Sequence, residues 1–222
     1  MNQASRAATS TTGTSMAGTS TTRIDILRHG LPEGDGCLRG HTDFPITAEG
    51  LEQMHGAVNG LLDVEQVISS PLHRCYVFAK QFANQCSLPI EQCPDWKEMN
   101  FGRWDGQSRD SLWQTERELL SSYWNKPWQS PPHGGESLHE FDRRVHRAWQ
   151  EMLVRYQGKR ILLVTHGGVM KQLLRILLDM PETANYLQRI ELPYAARYRV
   201  TVYRDENGEY WPQVKWPVQQ QF

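Results

Sequence analysis

Two histidine–glycine pairs are the residues of this 222-residue chain that could carry chemistry. His29-Gly30 ends one β-branched run, directly after Arg28, and His166-Gly167 ends another. A neutral imidazole is available as a nucleophile near pH 7, and a neighbouring glycine lets a ligand approach the backbone closely. A single histidine at a strand end is more often structural, but two in the same setting indicate one shared site.

Arginines accompany both predicted strand ends and indicate that this site binds an anion. Arg28 precedes His29, and Arg74 lies in the first turns of a helix that follows another strand. A guanidinium binds phosphate oxygens in a fixed fork, and the helix that opens after Gly168 offers unpaired N–H groups. Either arginine alone could be a solvated surface charge, but their joint placement predicts a phosphate site.

The hydrophobic pattern predicts the elements that position these residues. Strands are expected at 23–27, 66–69, 89–93 and 160–165, alternating with helices at 47–62, 71–85, 137–157 and 169–179, and a hairpin at 198–203 and 210–215. This alternation predicts an α/β fold, a three-layer α/β/α sandwich whose mostly parallel central sheet has an antiparallel edge strand. In such sheets ligands bind outside the carboxyl ends of the strands.

The chain divides into a tail and one domain. Residues 1–22 are rich in Ser, Thr, Ala and Gly, which predicts a disordered N-terminal tail; a transit peptide and a start site at Met16 remain open. Residues 23–222 form the domain, with a helical cap segment around 106–135. Four aromatic residues of the cap could stack on a flat base or form a small satellite core: Trp113, Tyr123, Trp124 and Trp128.

Composition argues against several classes of partner. The net charge of −1 gives no basic excess for nucleic acid or a membrane surface, and the richest apolar stretch, 161–180, is interrupted by charges. The four cysteines form no CxxC pair and have no metal-ligand spacing, which favours reduced thiols and a cytoplasmic protein. No HxH or clustered carboxylates suggest a metal hydrolase, so we predict no metal and no cofactor.

Four motifs, in order and spacing, resemble the histidine phosphatases, the phosphoglycerate mutase-like family, over residues 23–202. They are Leu27-Arg28-His29-Gly30, Ser69-Ser70-Pro71-Leu72-His73-Arg74, Glu98-Met99-Asn100-Phe101-Gly102-Arg103-Trp104-Asp105-Gly106 and Thr165-His166-Gly167-Gly168.

The resemblance implies a phosphoglycerate mutase-like fold and a role for each matching residue. His29 matches the nucleophile that takes the phosphoryl group, while Arg28, Arg74 and His166 match the groups that hold its oxygens. Glu98 matches the acid that protonates the leaving alcohol and then activates water. The implied activity is a metal-independent phosphomonoesterase that acts on a small phosphate ester through a phosphohistidine.

Within the family, the chain is most similar to the α-ribazole phosphatase branch, which would place it in cobalamin biosynthesis. The string at 98–106, the string Gly134-Gly135-Glu136-Ser137 and the short segment between 106 and 134 carry this similarity. Glu136 could equally be an acid in the first turn of a helix.

The loop at 31–41 departs from the mutase pattern. Leu31 and Asp35 replace a Glu or Gln and an Asn of the mutases, and Arg39 precedes Gly40 where relatives often have Ser or Thr. We predict that Arg39 adds a cation at the pocket mouth, and that Gly167 completes the substrate-binding set.

Other functions remain open. The chain could dephosphorylate another sugar phosphate or a nucleotide, and mutase activity is less expected because the short cap should hold a bisphosphate poorly. A non-catalytic phosphate-binding module is a further alternative, although such a module needs neither the nucleophile nor the acid.

Overall fold

The computed structural model describes residues 18–34 and 36–216, which contain six strands and seven α-helices. The strands are β1 Ser20–Arg28, β2 Gln66–Ser69, β3 Ile90–Gln92, β4 Arg160–Thr165, β5 Arg197–Arg204 and β6 Tyr210–Lys215. The helices are α1 Ala48–Ala57, α2 His73–Gln85, α3 Arg109–Thr115, α4 Arg117–Asn125, α5 Leu138–Arg155, α6 Gly167–Leu177 and α7 Asn185–Arg189.

The six strands form one mixed sheet in the order β3-β2-β4-β1-β5-β6. The first four of these strands are mutually parallel, and β5 pairs antiparallel with both β1 and β6. This arrangement confirms the predicted mostly parallel sheet with an antiparallel edge. Arg28 of β1 pairs with Thr165 of β4, so the residues that follow these two strands leave the sheet side by side.

Helices cover both faces of the sheet, so the side chains of the buried central strand β4 point alternately into two hydrophobic cores. Leu162 and Val164 of β4 pack in a cluster with residues of α1 and α2. Ile161 and Leu163 face the other way and pack with residues of α5 and α6. Burying each such side chain contributes roughly 1.5–3 kcal/mol. The three predicted layers are therefore present.

The first strand begins earlier than the sequence indicated. The tail was expected to reach residue 22, but β1 starts at Ser20, which pairs with Arg204 of β5. Thr22 is buried, and its hydroxyl accepts a hydrogen bond from the Gly158 N–H at 2.9 Å. A small polar run can join a strand when a neighbouring strand supplies hydrogen bonds, so the prediction of disorder is wrong for 20–22. Residues 1–17 of the predicted tail lie outside the described residues.

The second helix starts two residues later than the predicted position 71. Helix α2 begins at His73, whose N–H donates to the Asp43 carboxylate at 2.6 Å. The Ser70 hydroxyl accepts a hydrogen bond from the Leu72 N–H at 3.3 Å and also contacts a histidine of the candidate site, described below.

The predicted cap contains the two short helices α3 and α4. Ser108 starts α3 by accepting a hydrogen bond from the Ser111 N–H at 3.4 Å. Helix α5 then begins with a capping box between Ser137 and Glu140. Within the described residues, no helix combines the length and the apolar character needed to cross a bilayer.

Candidate active site

The carboxyl ends of β1 and β4 bring the two predicted histidines together. The His29 N–H donates to the Thr165 carbonyl at 3.0 Å, which ties the two strand ends to each other. The imidazole rings of His29 and His166 lie edge to face, with centroids 5.3 Å apart. His29 is 4% exposed and His166 is fully buried. The two imidazoles therefore share one pocket.

The tautomer of His29 follows from its hydrogen bond. Its Nδ1 lies 2.8 Å from the Gly30 carbonyl, which can only accept, so Nδ1 carries the proton. Burial, followed by the charges of Arg74 and Arg28, holds the pKa of His29 well below its usual range. The neutral ring then leaves an unprotonated Nε2, which is a nucleophilic nitrogen.

His166 is held by residues of the neighbouring strand end. Its Nε2 lies 2.8 Å from the Ser70 hydroxyl, and the Cys75 sulfur lies 3.6 Å from the same nitrogen. Burial and then the charge of Arg74 lower the pKa of His166 well below its usual range. Sequence reasoning missed the contact of Ser70 because the same residue type is a common helix cap.

Arg28 lies against the ring of Tyr194, with its guanidinium carbon 4.4 Å from the ring centroid. Its Nη1 donates to the carbonyl of Leu192, and burial lowers its pKa. Gly167 lies directly beside this arginine, since a Cβ at position 167 would be 3.2 Å from the Arg28 Nε. The backbone of the predicted binding glycine therefore approaches the guanidinium closely.

Arg74 is fully buried and organises the loop that precedes it in the chain. Its Nη1 donates to the Thr42 carbonyl at 3.0 Å, and its Nη2 donates to the Gly40 carbonyl at 2.7 Å. These bonds fix the direction of the guanidinium before any ligand arrives.

Both arginines keep a buried donor without an acceptor. The Nε atoms of Arg28 and Arg74 are buried and have no hydrogen-bond partner among the described residues. Arg23 and Arg175 share this feature, but each forms an ion pair with an aspartate. Arg28 and Arg74 form no such pair in the described part of the chain. Because a buried cation is costly without a counterion, this arrangement fits an anionic ligand.

Glu98 belongs to the segment between β3 and α3, and its carboxylate contacts the first turn of α6. Its Oε2 accepts a hydrogen bond from the Gly168 N–H at 2.9 Å, and its Oε1 accepts one from the Met99 N–H at 3.0 Å. A Cβ at position 168 would lie 2.2 Å from Glu98 Oε1, so any other residue there would displace the Glu98 carboxylate. Glu98 thus takes one of the helix N–H groups that the sequence assigned to the anion.

The backbone of Glu98 is held from two sides. His41 Nε2 lies 2.9 Å from the Glu98 carbonyl, and Arg144 Nη2 donates to the same oxygen at 3.3 Å. Arg144 in turn forms a two-pronged ion pair with Glu136, at 2.9 and 2.7 Å. Glu136, which the sequence left open as a first-turn acid, therefore holds the arginine that positions Glu98.

Arg39 reaches the site through a residue that sequence reasoning missed. Its Nη1 donates to the Tyr194 hydroxyl at 2.8 Å, and its Nε donates to the Gly34 carbonyl at 3.0 Å. The Tyr194 ring lies 5.9 Å from the His29 ring. No local motif marks Tyr194, because its contacts are all distant in sequence. Asp35 lies outside the described residues.

A cavity of about 310 Å³ opens beside Arg28 and Glu98. We call Arg28, His29, Arg74 and His166 the charged end of the site. The aromatic and apolar wall of the cavity, here the apolar end, is formed by Met99, Phe101, Tyr123, Trp124 and Phe141. Glu98 and Arg28 line the same cavity.

The four aromatic residues of the cap differ in what they contact. Tyr123 and Trp124 line the cavity, and Trp124 also borders a neighbouring cavity of about 220 Å³ together with Trp113. Trp128 is buried away from it, with its ring 4.9 Å from His139. Of the two interpretations, the satellite core describes Trp128, while Tyr123 and Trp124 provide an aromatic cavity wall.

Comparison with known proteins agrees with this geometry. Residues 24–211 match the sequence profile of the histidine phosphatase superfamily (branch 1). An adenosylcobalamin/α-ribazole phosphatase of Escherichia coli is 31% identical over 175 residues, which are 76% of this chain and 85% of that protein. A probable phosphoglycerate mutase, GpmB of Yersinia pestis, is 30% identical over 177 residues, 76% of this chain and 80% of that protein.

Solved structures show the same architecture. The α-ribazole phosphatase from Shigella flexneri superimposes with a TM-score of 0.69 and 28% identity, covering 81% of this chain and 89% of that one. Fold, profile and relatives agree, and the chain belongs to the histidine phosphatase superfamily and is a phosphoric monoester hydrolase.

Proposed function

We propose that this enzyme hydrolyses its ester through a covalent phosphohistidine on His29, without a metal ion. The observation that carries the proposal is the convergence of two neutral imidazoles with two buried guanidiniums that lack carboxylate partners. Phosphoryl transfer needs positioning and charge neutralisation above all, and these cations supply both.

In the first step, His29 Nε2 attacks phosphorus and the bond from phosphorus to the leaving oxygen breaks. Arg28, Arg74 and His166 hold the three other oxygens. Glu98 gives its proton to the leaving alcohol, which departs through the cavity beside it. The hydrogen bond from Nδ1 to Gly30 stabilises the ring as positive charge develops on it.

In the second step, a water molecule attacks the phosphorus of the phosphohistidine. Glu98, now ionised, takes a proton from that water, and the bond between phosphorus and Nε2 breaks. Inorganic phosphate leaves, and His29 is neutral again. The N–H groups of Gly168 and Met99 hold the Glu98 carboxylate in place through both steps.

We further propose α-ribazole 5′-phosphate as the substrate, in cobalamin biosynthesis and in the cytoplasm. The aromatic wall formed by Tyr123 and Trp124 suits a flat benzimidazole ring, and the E. coli and Shigella relatives carry this substrate in their names. The short cap and the apolar end favour this ester over the small polar bisphosphates of a mutase.

A substrate panel in the presence of EDTA tests both parts of the proposal. Wild-type enzyme should release phosphate from α-ribazole 5′-phosphate with a higher kcat/KM than from ribose 5-phosphate, 3-phosphoglycerate or a nucleotide. His29→Ala should abolish release from every ester, while His146→Ala, an exposed histidine outside the site, should change nothing. A higher kcat/KM on another ester would contradict the substrate, and EDTA-sensitive turnover would contradict the mechanism.

A further inference from the structure

Lys171 lines the cavity at a place that the phosphate chemistry does not use. It follows Gly167 by four residues and Gly168 by three on α6, so it lies on the same helix face as the two glycines. All three residues line the cavity, together with Leu187 and Leu192. Lys171 therefore shares the cavity with Glu98, the proposed acid for the leaving oxygen.

The hydrogen bonding of Lys171 is incomplete. Its Nζ donates to the Leu187 carbonyl at 2.5 Å, which is its one hydrogen bond to the residues the structure describes. No carboxylate of those residues lies within ion-pair distance of it. An ammonium has three N–H donors, so two of them have no protein acceptor.

The electrostatic surroundings of Lys171 agree with a group that faces a ligand. Burial lowers its pKa first, Arg28 lowers it further, and Glu98 and Glu191 oppose this shift. A half-buried cation with one carbonyl partner is stabilised when a ligand adds an acceptor. Two arginines also line the cavity. Arg28 is part of the phosphate site, and Arg109 differs from Lys171 because it is exposed and donates to the Gly36 carbonyl.

We propose that Lys171 is a specificity-determining residue, which donates hydrogen bonds to an oxygen on the leaving group. The inference builds on the proposed function, since it assigns the leaving alcohol to this cavity. Arg28 and Arg74 account for the phosphate, so the donors of Lys171 serve the alcohol. A substrate of this site thus combines a flat apolar part, which contacts Tyr123 and Trp124, with a hydroxyl or carboxylate near its ester bond.

Three esters separate this role from a structural one. Phenyl phosphate has no oxygen beyond the ester, ribose 5-phosphate has hydroxyls, and 3-phosphoglycerate has a carboxylate. Lys171→Met should lower kcat/KM about tenfold for the two oxygen-bearing esters, with a clearly smaller loss for phenyl phosphate. Lys80→Met, an exposed lysine on α2, is the matched control and should leave all three values unchanged.

Lys171→Gln distinguishes the two kinds of oxygen, because it keeps an N–H donor and removes the charge. If Lys171→Gln restores kcat/KM for ribose 5-phosphate alone, the recognised oxygen is a hydroxyl. If kcat/KM stays low for both esters, the charge of the lysine is needed, as for a carboxylate. Equal losses of Lys171→Met on all three esters, or no loss on any, would overturn the proposal. If the wild-type enzyme shows no preference for α-ribazole 5′-phosphate, that substrate is wrong. The comparison of the three esters still tests the role of Lys171 in that case.

Discussion

The two ends of the cavity are built in different ways. The charged end consists of side chains at strand ends and a helix start, fixed by short backbone contacts such as those of His29 and Arg74. The apolar end consists of aromatic residues from connecting segments and cap helices, such as Phe101 and Trp124, with few polar contacts. The difference indicates that the chemistry is set by the sheet, and that the choice of leaving group is set by the cap.

Glu98 lines the cavity together with Arg28 and the apolar end. Its replacement should cause the largest loss of activity that differs between esters. Glu98→Gln removes the proton that the leaving oxygen needs, so kcat/KM, which reports phosphoryl transfer to His29 and not the later hydrolysis, should fall by about 100- to 10,000-fold for an alkyl phosphate. The loss should be much smaller for p-nitrophenyl phosphate, whose leaving group needs no proton. Steady-state kinetics on both esters measures this ratio. Equal losses on both would contradict the role of Glu98 as the acid.

Arg74 belongs to the charged end alone, so its replacement should not distinguish leaving groups. Arg74→Met should lower kcat/KM by about 100- to 1,000-fold for every ester, since a donor to the transferring group is lost. Arg155→Met, which removes an exposed ion pair with Glu91, serves as the control. If the loss of kcat/KM varied strongly with the leaving group, the charged end would not act on the phosphate alone, and the proposed division of roles between the two ends would be wrong.

Trp124 tests the apolar end. Trp124→Ala should raise KM for an ester with a flat aromatic leaving group by about tenfold, because a stacking surface is removed. KM for glycerol phosphate and the value of kcat should stay nearly constant. Trp211→Ala, an exposed tryptophan on β6, is the control. A fall in kcat with unchanged KM would show that the cap acts on chemistry rather than on recognition.

The charged end should also give the protein a pH dependence of stability, an effect that involves no ester. Burial holds the pKa values of His29 and His166 below those of the unfolded chain, so the unfolded state binds more protons below about pH 6.5. The free energy of unfolding should therefore fall from pH 7 to pH 5, by up to about 1.4 kcal/mol per pH unit for each histidine.

Urea unfolding at several pH values measures this slope. The double replacement His29→Asn with His166→Asn should flatten it, whereas Trp124→Ala should not change it. An unchanged slope in the double variant would show that the two imidazoles are not buried in the neutral form.

The residues of the charged end could be predicted from the sequence because short motifs at strand ends and helix starts mark them. Each functional residue follows a strand or opens a helix within a few positions, and the strand Arg160–Thr165 was predicted with the bounds that it has in the structure. Its assigned roles stay predictions until variants are measured. The N-terminal part of β1 was missed, because Ser20 joins the sheet through pairing with β5 and not through its own pattern.

The site residues that could not be predicted from the sequence are placed by tertiary contacts. Tyr194 contacts His29 and Arg28 from a loop more than 160 residues away, so no spacing rule reveals it. Trp124 and Trp128 have the same residue type and nearly the same position, yet one lines the cavity and the other is buried against His139. Such orientations are decided by packing between elements, which periodicity does not describe.

The most direct test of the central claim is to locate the phosphoryl group during turnover. Wild-type enzyme is mixed with labelled substrate, quenched in alkali, where a phosphorus–nitrogen bond on histidine survives, and its peptides are mapped by mass spectrometry. The account predicts phosphate on the peptide that contains His29, with the label removed by acid. Label on another residue, or undiminished turnover by His29→Ala, would contradict it.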